Sequence, residues 1–199
     1  MEVITIIKDV IVSIAAVTTV GLAIYGVRSF SRDLKAKAEF KVARHLLRST
    51  YKLRDAISAA RAPFISASEF PEGYGGTLTR ESDQEKAEAY HHVYRNRWEP
   101  IWEAVQGFDA DALEAEAIWG SNVKEKTNEY RSCLNTLQTA IEFHVRNLQS
   151  GLRELDEEFA RKIKEDLYAT RDSNDELSES MKNKLANIEQ AVIPYLKRS

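Results

Sequence analysis

Cysteine, proline and glycine are scarce in this 199-residue chain, which contains one cysteine, four prolines and eight glycines. A single cysteine, Cys133, excludes an intramolecular disulfide bond and any zinc site built from several cysteines. The low proline and glycine content provides little material for the turns of a β-fold, whereas the abundant alanine, leucine, glutamate and lysine favour long helices. We therefore predict an all-α protein.

The chain also lacks the short motifs that accompany several common activities. It contains no G-x-x-x-x-G-K-[ST] phosphate-binding loop, no G-x-G-x-x-G dinucleotide motif, no G-x-S-x-G nucleophile elbow and no H-E-x-x-H zinc motif. The glycine-rich residues 73–76 follow no predicted strand and contain no lysine, so a flexible loop explains them. We expect a protein without enzymatic activity and without a cofactor.

Charge is distributed unevenly along the chain. Ten basic and three acidic residues give residues 28–61 a net charge of +7, whereas residues 62–199 carry a net charge of −9. The sequence therefore predicts a basic helix beside an acidic body. Such a helix can pack on the acidic body, and it can also approach anionic lipid headgroups.

A long apolar run lies at the N-terminus. Residues 10–27 contain no charged side chain, and residues 3–7 extend the run upstream. At 1.5 Å per residue, a helix of this uncharged length spans about 27 Å, close to the thickness of a bilayer core. We predict a transmembrane anchor over residues 1–27 that contacts membrane lipid through residues 3–27.

Basic residues follow this run closely. The membrane-proximal basic residues are Arg28, Arg32, Lys35, Lys37 and Lys41. Because basic segments stay on the cytoplasmic side, we predict a single-pass protein with its N-terminus outside and its C-terminal domain in the cytoplasm. A cleaved signal peptide is the alternative, but Glu2 stands where a basic start is expected.

Helical patterns fill the remainder of the chain. Residues 28–62 contain neither proline nor glycine and predict a basic stalk helix that continues the anchor. Residues 63–79 form a proline- and glycine-rich loop. Residues 80–199 predict an acidic body, an antiparallel bundle of about four or five helices packed with the stalk. Within this body, the spacing by threes and fours over residues 127–148 predicts the clearest amphipathic helix outside the anchor. Pro100 is expected either to kink the first helical segment of this body or to start a new helix, and Gly107 is expected to end a helix.

Aromatic and arginine residues cluster early in the acidic body. The candidate residues for binding a partner or ligand are Tyr90, Tyr94, Arg95, Arg97, Trp98 and Trp102. Such residues can stack on nucleobases or bind phosphate. The competing interpretation is a buried stripe of Tyr94, Trp98 and Trp102, with the arginines paired to acidic neighbours such as Glu99, Glu114 or Glu116. We favour the buried stripe and do not expect a nucleic-acid partner.

Another set of residues has the chemistry of metal ligands. Glu88 and His91 have the E-x-x-H spacing of di-iron bundles, and His92 lies four residues after Glu88. A di-iron site needs a second copy of this motif, which the chain lacks. Two ligands on one helix make a weak site, so we expect no metal there.

Residues 94–100 (YRNRWEP) and 114–120 (EAEAIWG) resemble a group of uncharacterised bacterial membrane-anchored all-helical proteins. The resemblance covers residues 45–150. It implies a bacterial inner-membrane setting and transfers no activity.

These features together predict a membrane-anchored cytoplasmic helical module that binds or scaffolds a protein partner or further copies of itself. The alternative is a membrane-linked ligand sensor or effector of a stress or anti-phage type. A metal-dependent enzyme that uses Glu88 and His91 is the third hypothesis.

Overall fold

The computed structural model describes the backbone of residues 2–75, 82–151, 156–169 and 175–197, and within these ranges it describes side chains from Ile14 onward except that of Ala16. This part of the chain forms five α-helices and one 3-10 turn, with no β-strand. The all-α prediction is therefore confirmed.

The helices are α1 (Glu2–Ala60), α2 (Asp83–Trp119), α3 (Ser121–Gln149), α4 (Glu157–Leu167) and α5 (Glu176–Leu196), and the 3-10 turn at Ala67–Glu69 lies between α1 and α2. The connections between the helices differ in length, and the one between α1 and α2, residues 61–82, is the longest. Only Gly120 separates α2 from α3. Its φ of 75° lies in a region that glycine enters at little cost, which allows the chain to reverse there.

Four of the helices surround the core. α1 packs on α2, α2 on α3, α3 on α5 and α5 on α1, while the short helix α4 packs against α3 and α5. The Tyr51 hydroxyl of α1 donates to Glu189 of α5, and Arg61 at the end of α1 reaches Asp175 at the start of α5. Because the later residue of α1 contacts the earlier residue of the α5 region, α1 and α5 run in opposite directions. The body is an antiparallel four-helix bundle with one additional helix.

The core side chains recur with alternating spacings of three and four residues. On α1 the recurring residues are Glu39, Ala43, Leu46, Thr50, Leu53, Ile57 and Ala60. On α3 they are Val123, Thr127, Tyr130, Leu134, Leu137, Ile141, His144 and Leu148. This spacing keeps one stripe of each helix facing its neighbours, and it is typical of helices that pack at crossing angles of about 20°. The amphipathic pattern read from residues 127–148 is therefore confirmed.

α2 continues without a break through Pro100 and Gly107, so the new helix start expected at Pro100 and the helix end expected at Gly107 are wrong. Core-facing residues keep the same spacing across both positions and are Tyr94, Trp98, Ile101, Val105, Phe108, Ala112 and Ala115. Pro100 itself lies on the exposed side of the helix. A proline inside a helix costs about 3 kcal/mol, and the packing of α2 on both α1 and α3 compensates for that cost.

A buried arginine follows the last turn of α1. Arg61 is 1% exposed. Its guanidinium donates hydrogen bonds of 2.9–3.2 Å to the backbone carbonyl oxygens of Glu165, Asp166 and Tyr168. It also contacts the Asp175 carboxylate at 2.9 Å. Arg61 therefore satisfies the carbonyl groups at the C-terminal end of α4 and joins them to the start of α5.

Asp175 connects this arginine to α5. Its carboxylate accepts hydrogen bonds from the backbone N–H of Ser178 at 2.9 Å and from the Ser178 hydroxyl at 2.7 Å, and so caps the helix. Burial alone would raise the pKa of Asp175, but the hydrogen bonds from Arg61 and Ser178 outweigh burial and lower this pKa. The carboxylate stays ionised and balances the buried guanidinium.

The described side chains in the N-terminal half of α1 are not part of the core. No described side chain from Ile14 to Ala38 is buried. Exposed apolar residues surround this part of the helix and include Ile14, Val17, Val20, Leu22, Ile24, Tyr25, Val27 and Phe30. Among the described residues, no helix has both the length and the apolar character required to cross a bilayer. Residues 3–13 of the predicted anchor lie outside the described side chains, and the span stays a prediction.

Replacing Arg61 with methionine should lower the free energy of unfolding by about 3–5 kcal/mol. Methionine has a similar length but donates no hydrogen bond, so the Asp175 carboxylate and the carbonyl groups of α4 would lose their buried partner. Urea denaturation followed by circular dichroism measures this difference.

Arg95→Met is the matched control, because Arg95 is exposed on α2. We expect its free energy of unfolding to stay within about 0.5 kcal/mol of the unchanged protein. If Arg61→Met were as stable as Arg95→Met, Arg61 would not join the helix ends as described.

Candidate partner-binding cleft

A cleft of about 460 Å³ lies between α2 and α3. α2 contributes Tyr94, Arg95 and Trp98 to its lining, and these are three of the six residues singled out in the sequence. Residues of α3 that the sequence did not single out form the opposite wall and include Ile141, Glu142, Val145 and Arg146. The structure therefore places half of the predicted binding residues in one cleft and completes the cleft from α3.

Helical spacing explains why these residues meet. His91, Arg95 and Trp98 lie at positions i, i+4 and i+7 of α2, so their side chains project along one face. The lining residues of α3 recur from Gln138 to Gln149 by the same rule. Because α2 and α3 are antiparallel, the two faces meet along about two helical turns.

The floor of the cleft is apolar and its rim is charged. Tyr94 is 2% exposed and Val145 is 9% exposed, and they close the bottom with the half-buried ring of Trp98. Arg95 and Arg146 stand on opposite walls, and neither forms an ion pair within the described part of the chain. The Arg146 guanidinium lies 5.5 Å from the centre of the Phe143 ring.

One acidic residue also belongs to the rim. The Glu142 carboxylate accepts a hydrogen bond of 3.0 Å from the Gln138 amide, one turn earlier on α3. With two arginines and one glutamate, the rim has an excess of positive charge on a body whose net charge is negative. This arrangement suits a bound group that carries an acidic function beside an apolar one.

An aromatic cluster supports the cleft from below. The Tyr94 and Tyr168 hydroxyl oxygens lie 2.8 Å apart and share a hydrogen bond. The ring of His144 lies 5.8 Å from the rings of both Tyr90 and Tyr94, with edge-to-face geometry. Burial and the Tyr168 hydrogen bond raise the pKa of Tyr94, so its hydroxyl stays protonated. The floor of the cleft is thus held by uncharged aromatic groups.

His144 is the titratable member of this cluster. Its buried Nε2 atom has no hydrogen-bond partner among the described residues. Burial lowers the pKa of His144 to about 4, and the nearby Lys164 and Lys86 act in the same direction. The imidazole is therefore neutral at pH 7.

Arg97 does not enter the cleft. Its guanidinium donates to the Glu69 carboxylate at 2.6 Å and to the carbonyl oxygens of Ala62 and Phe64 at 2.7 Å each. The hydrogen bond from Arg97 lowers the pKa of Glu69 below its usual range. Arg97 thus connects α2 to the segment that follows α1. The acidic partner of Arg97 is therefore Glu69, and not one of the expected neighbours Glu99, Glu114 and Glu116.

Two further predicted residues lie elsewhere. Tyr90 packs between Phe70, at 5.4 Å between ring centres, and His144. Trp102 is 57% exposed, so the expectation that it continues a buried stripe is wrong. A step of four residues along a helix rotates the side-chain direction by about 400°, which is about 40° more than a full turn. A stripe of residues with this spacing therefore turns about 40° away from the core at each step. At Trp102 this rotation has carried the side chain to the surface.

The weak metal candidates on α2 make local contacts. The Gln84 amide donates to Glu88 at 2.9 Å, and His92 lies within hydrogen-bond distance of Asn96. Among the described residues, the group of three side chains that geometry brings together for a metal includes none of Glu88, His91 and His92. Within the described part of the chain, the fold therefore adds no third ligand to the candidate site at Glu88 and His91.

The membrane-proximal basic residues are all exposed along α1. They are Arg28, Arg32, Lys35, Lys37 and Lys41. Lys35 lies 3.9 Å from Glu39, which is the first buried residue of the helix. Four of the five basic residues thus precede the point where the contact between α1 and the bundle begins, and Lys41 follows it.

Acidification from pH 6.5 to pH 4 should lower the free energy of unfolding through His144 by roughly 2–3 kcal/mol. In this window the unfolded chain binds more protons at His144 than the folded chain does, so stability rises with pH from about 4 and levels off roughly one pH unit above 6.5. Urea denaturation at several pH values measures the slope.

His144→Phe is the comparison variant, since phenylalanine fills the same aromatic position without titrating. Its stability should depend less on pH across this window than that of the unchanged protein. Equal slopes would show that His144 is not buried in its neutral form.

Comparison with known proteins finds no matching family model, no matching curated protein and no matching solved structure. The resemblance of residues 45–150 to bacterial membrane-anchored proteins stays a prediction. The cleft and the surface of α1 are therefore the features of the molecule that bear on its function.

Proposed function

We propose that this protein is a membrane-anchored, non-enzymatic helical module that binds a partner protein in the cleft between α2 and α3. The observation that carries the proposal is the combination, in this cleft, of an apolar floor and two arginines without ion pairs within the described part of the chain. A partner segment with an acidic side chain next to an apolar one matches both features.

The energetics of such a contact favour protein binding. Aromatic residues and arginines contribute most to binding energy at protein interfaces, and Trp98 lines this cleft together with two arginines. An acidic side chain that contacts Arg95 or Arg146 gains a charge-assisted hydrogen bond. The negative charge of residues 62–199 opposes nucleic acid, whose phosphates would be repelled by most of the body.

The apolar surface of α1 supports a membrane anchor. Val17, Val20 and Leu22 are 73%, 59% and 67% exposed. Residues 10–27 contain no charged residue, so no face of the helix carries a charge in this segment. Transfer of one such side chain from water to an apolar medium is favourable by about 1.5–3 kcal/mol. Insertion into the bilayer provides this burial, and the basic residues that follow favour a cytoplasmic body. We place the protein in a bacterial inner membrane.

The stalk sets the distance between the membrane and the body. The anchor ends at residue 27 in this proposal, and the first buried residue of α1 is Glu39. The helix between them rises by about 1.5 Å per residue, which places the bundle roughly 16–18 Å from the membrane edge. A partner bound in the cleft is therefore another membrane-associated or cytoplasmic protein close to the inner membrane.

A second function, recognition of a small anionic ligand, is supported by the size of the cleft. Its volume of about 460 Å³ lies within the range of small-molecule sites. In that case the module is a membrane-linked sensor. A protein partner captured at the cleft supports the first function, whereas a small anionic molecule that raises the melting temperature only when the arginines are present supports the second.

Arg95→Glu together with Arg146→Glu should abolish partner capture, because the reversed charges repel an acidic segment. The measurement places a photo-crosslinking amino acid at Gln138, which is exposed at the cleft, in the full-length protein in native membranes. Mass spectrometry then identifies the crosslinked protein.

Lys182→Glu is the matched control, since it makes the same type of charge reversal at an exposed position of α5, away from the cleft. A defined crosslinked partner should persist in this control and disappear in the double variant. A crosslinking pattern identical in all three proteins would contradict binding at the cleft.

Replacing Val17 and Val20 with arginine should release the protein from the membrane fraction. Each charge at the centre of a span costs about 2.5–3.5 kcal/mol on insertion scales. Alkaline extraction and flotation in a density gradient measure the distribution. Ser31→Arg, in the stalk, is the control that should remain in the membrane. Release of the unchanged protein by alkaline extraction would contradict the anchor.

Ser31→Cys allows the orientation to be tested. The native Cys133 is 1% exposed and should contribute little background labelling. In spheroplasts, an impermeant maleimide should label the new cysteine only after the inner membrane is permeabilised. Labelling of intact spheroplasts would place the body outside.

A further inference from the structure

Three side chains with metal-ligating atoms meet where α1 and α2 pack together. They are His45 of α1 and Asp111 and Glu114 of α2, and their ligating atoms all lie within 4.8 Å of one another. Asp111 and Glu114 are three residues apart on one helix, so they share a face, and the antiparallel packing brings His45 opposite them. We propose that these three residues form a binding site for a divalent transition-metal ion.

The three side chains are available to a metal. Within the described part of the chain, neither the imidazole of His45 nor the carboxylates of Asp111 and Glu114 form a hydrogen bond or an ion pair with another residue. Arg48 and Lys52 line the neighbouring cleft and are the obvious competitors for the carboxylates. Neither cation pairs with them, so the oxygen and nitrogen atoms of the group keep their lone pairs for another partner.

The distances fit a bound ion after small side-chain rotations. Metal–ligand distances near 2.1 Å place neighbouring ligands of one ion about 3.4 Å apart. The observed upper limit of 4.8 Å is longer by an amount that rotation about the side-chain bonds can remove, because His45 and Asp111 are half-buried and Glu114 is exposed. The two carboxylates also neutralise the charge of a divalent cation.

The ligand set selects the class of metal. One imidazole and two carboxylates suit Zn²⁺, Mn²⁺ or Fe²⁺, whereas Mg²⁺ and Ca²⁺ prefer oxygen ligands alone and Cu⁺ prefers sulfur. Three protein ligands leave at least one coordination position for water or for a group of another molecule. His45 and Asp111 also line a cleft of about 530 Å³, which gives that position access to solvent.

The position of the group gives the ion a structural consequence. It would link α1, the helix that carries the proposed anchor, to α2, the helix that carries Arg95 and Trp98 of the partner cleft. This inference does not rest on the proposed function, because it uses different residues of both helices.

Isothermal titration calorimetry with Zn²⁺ tests the site on the full-length protein in detergent, purified without a histidine tag and treated with a chelator. We expect one ion per chain and a Kd that rises at least about tenfold in each of His45→Gln, Asp111→Asn and Glu114→Gln. Titration with Co²⁺ adds a second measurement, because coordination by these ligands gives a visible absorption band that the three variants should lose.

His91→Gln is the matched control, since His91 is an exposed histidine of α2 outside the group. Its Zn²⁺ affinity should equal that of the unchanged protein. Circular dichroism verifies that every variant is folded, and Glu114→Gln, which alters an exposed side chain, is the variant that perturbs the fold least. Absence of Zn²⁺ binding, binding unchanged in the three variants, or binding lost only in His91→Gln would each overturn the proposal.

Discussion

The arrangement of helix ends in this bundle depends on one buried cation, the guanidinium of Arg61. An unpaired charge in a protein interior is strongly unfavourable, so each donor of the guanidinium needs a partner. The carbonyl groups at the end of α4 and the carboxylate that caps α5 provide those partners. α4 contributes only Ile163 and Leu167 as buried apolar residues. Its position therefore owes much to the hydrogen bonds that Arg61 makes beyond the end of α1.

Arg97 performs a related task from α2, since it binds Glu69 and the carbonyl groups that follow α1. Both arginines thus act at the same end of the bundle, where α1 stops and the chain turns back. Their roles did not follow from the sequence. Charge counting assigned Arg61 to a basic helix, and the aromatic surroundings of Arg97 suggested a binding residue. Which backbone carbonyl lies within reach of a guanidinium is decided by tertiary packing, on which local sequence has little influence.

Other features could be predicted from the sequence because they depend on composition or on the helical spacing of apolar residues. The spacing of residues 127–148 predicted the buried face of α3, and the scarcity of proline and glycine predicted the helical class. Local signals misled at Pro100 and Gly107, where packing on two neighbouring helices outweighs the tendency to break. Half of the cleft could not be predicted from the sequence. Tyr94, Arg95 and Trp98 were recognisable as a cluster because they are close in sequence. Ile141 and Arg146 meet them only because the chain reverses at Gly120.

The unbroken course of α1 has a geometric consequence. Since one helix runs from its exposed apolar part into the core, the number of residues between them fixes the rotational phase of the bundle about the helix axis. One additional residue would turn the bundle by about 100°, whereas seven would return it to within about 20° of its original direction. The length of the stalk therefore determines the direction, measured around the axis of α1, in which the α2–α3 cleft opens.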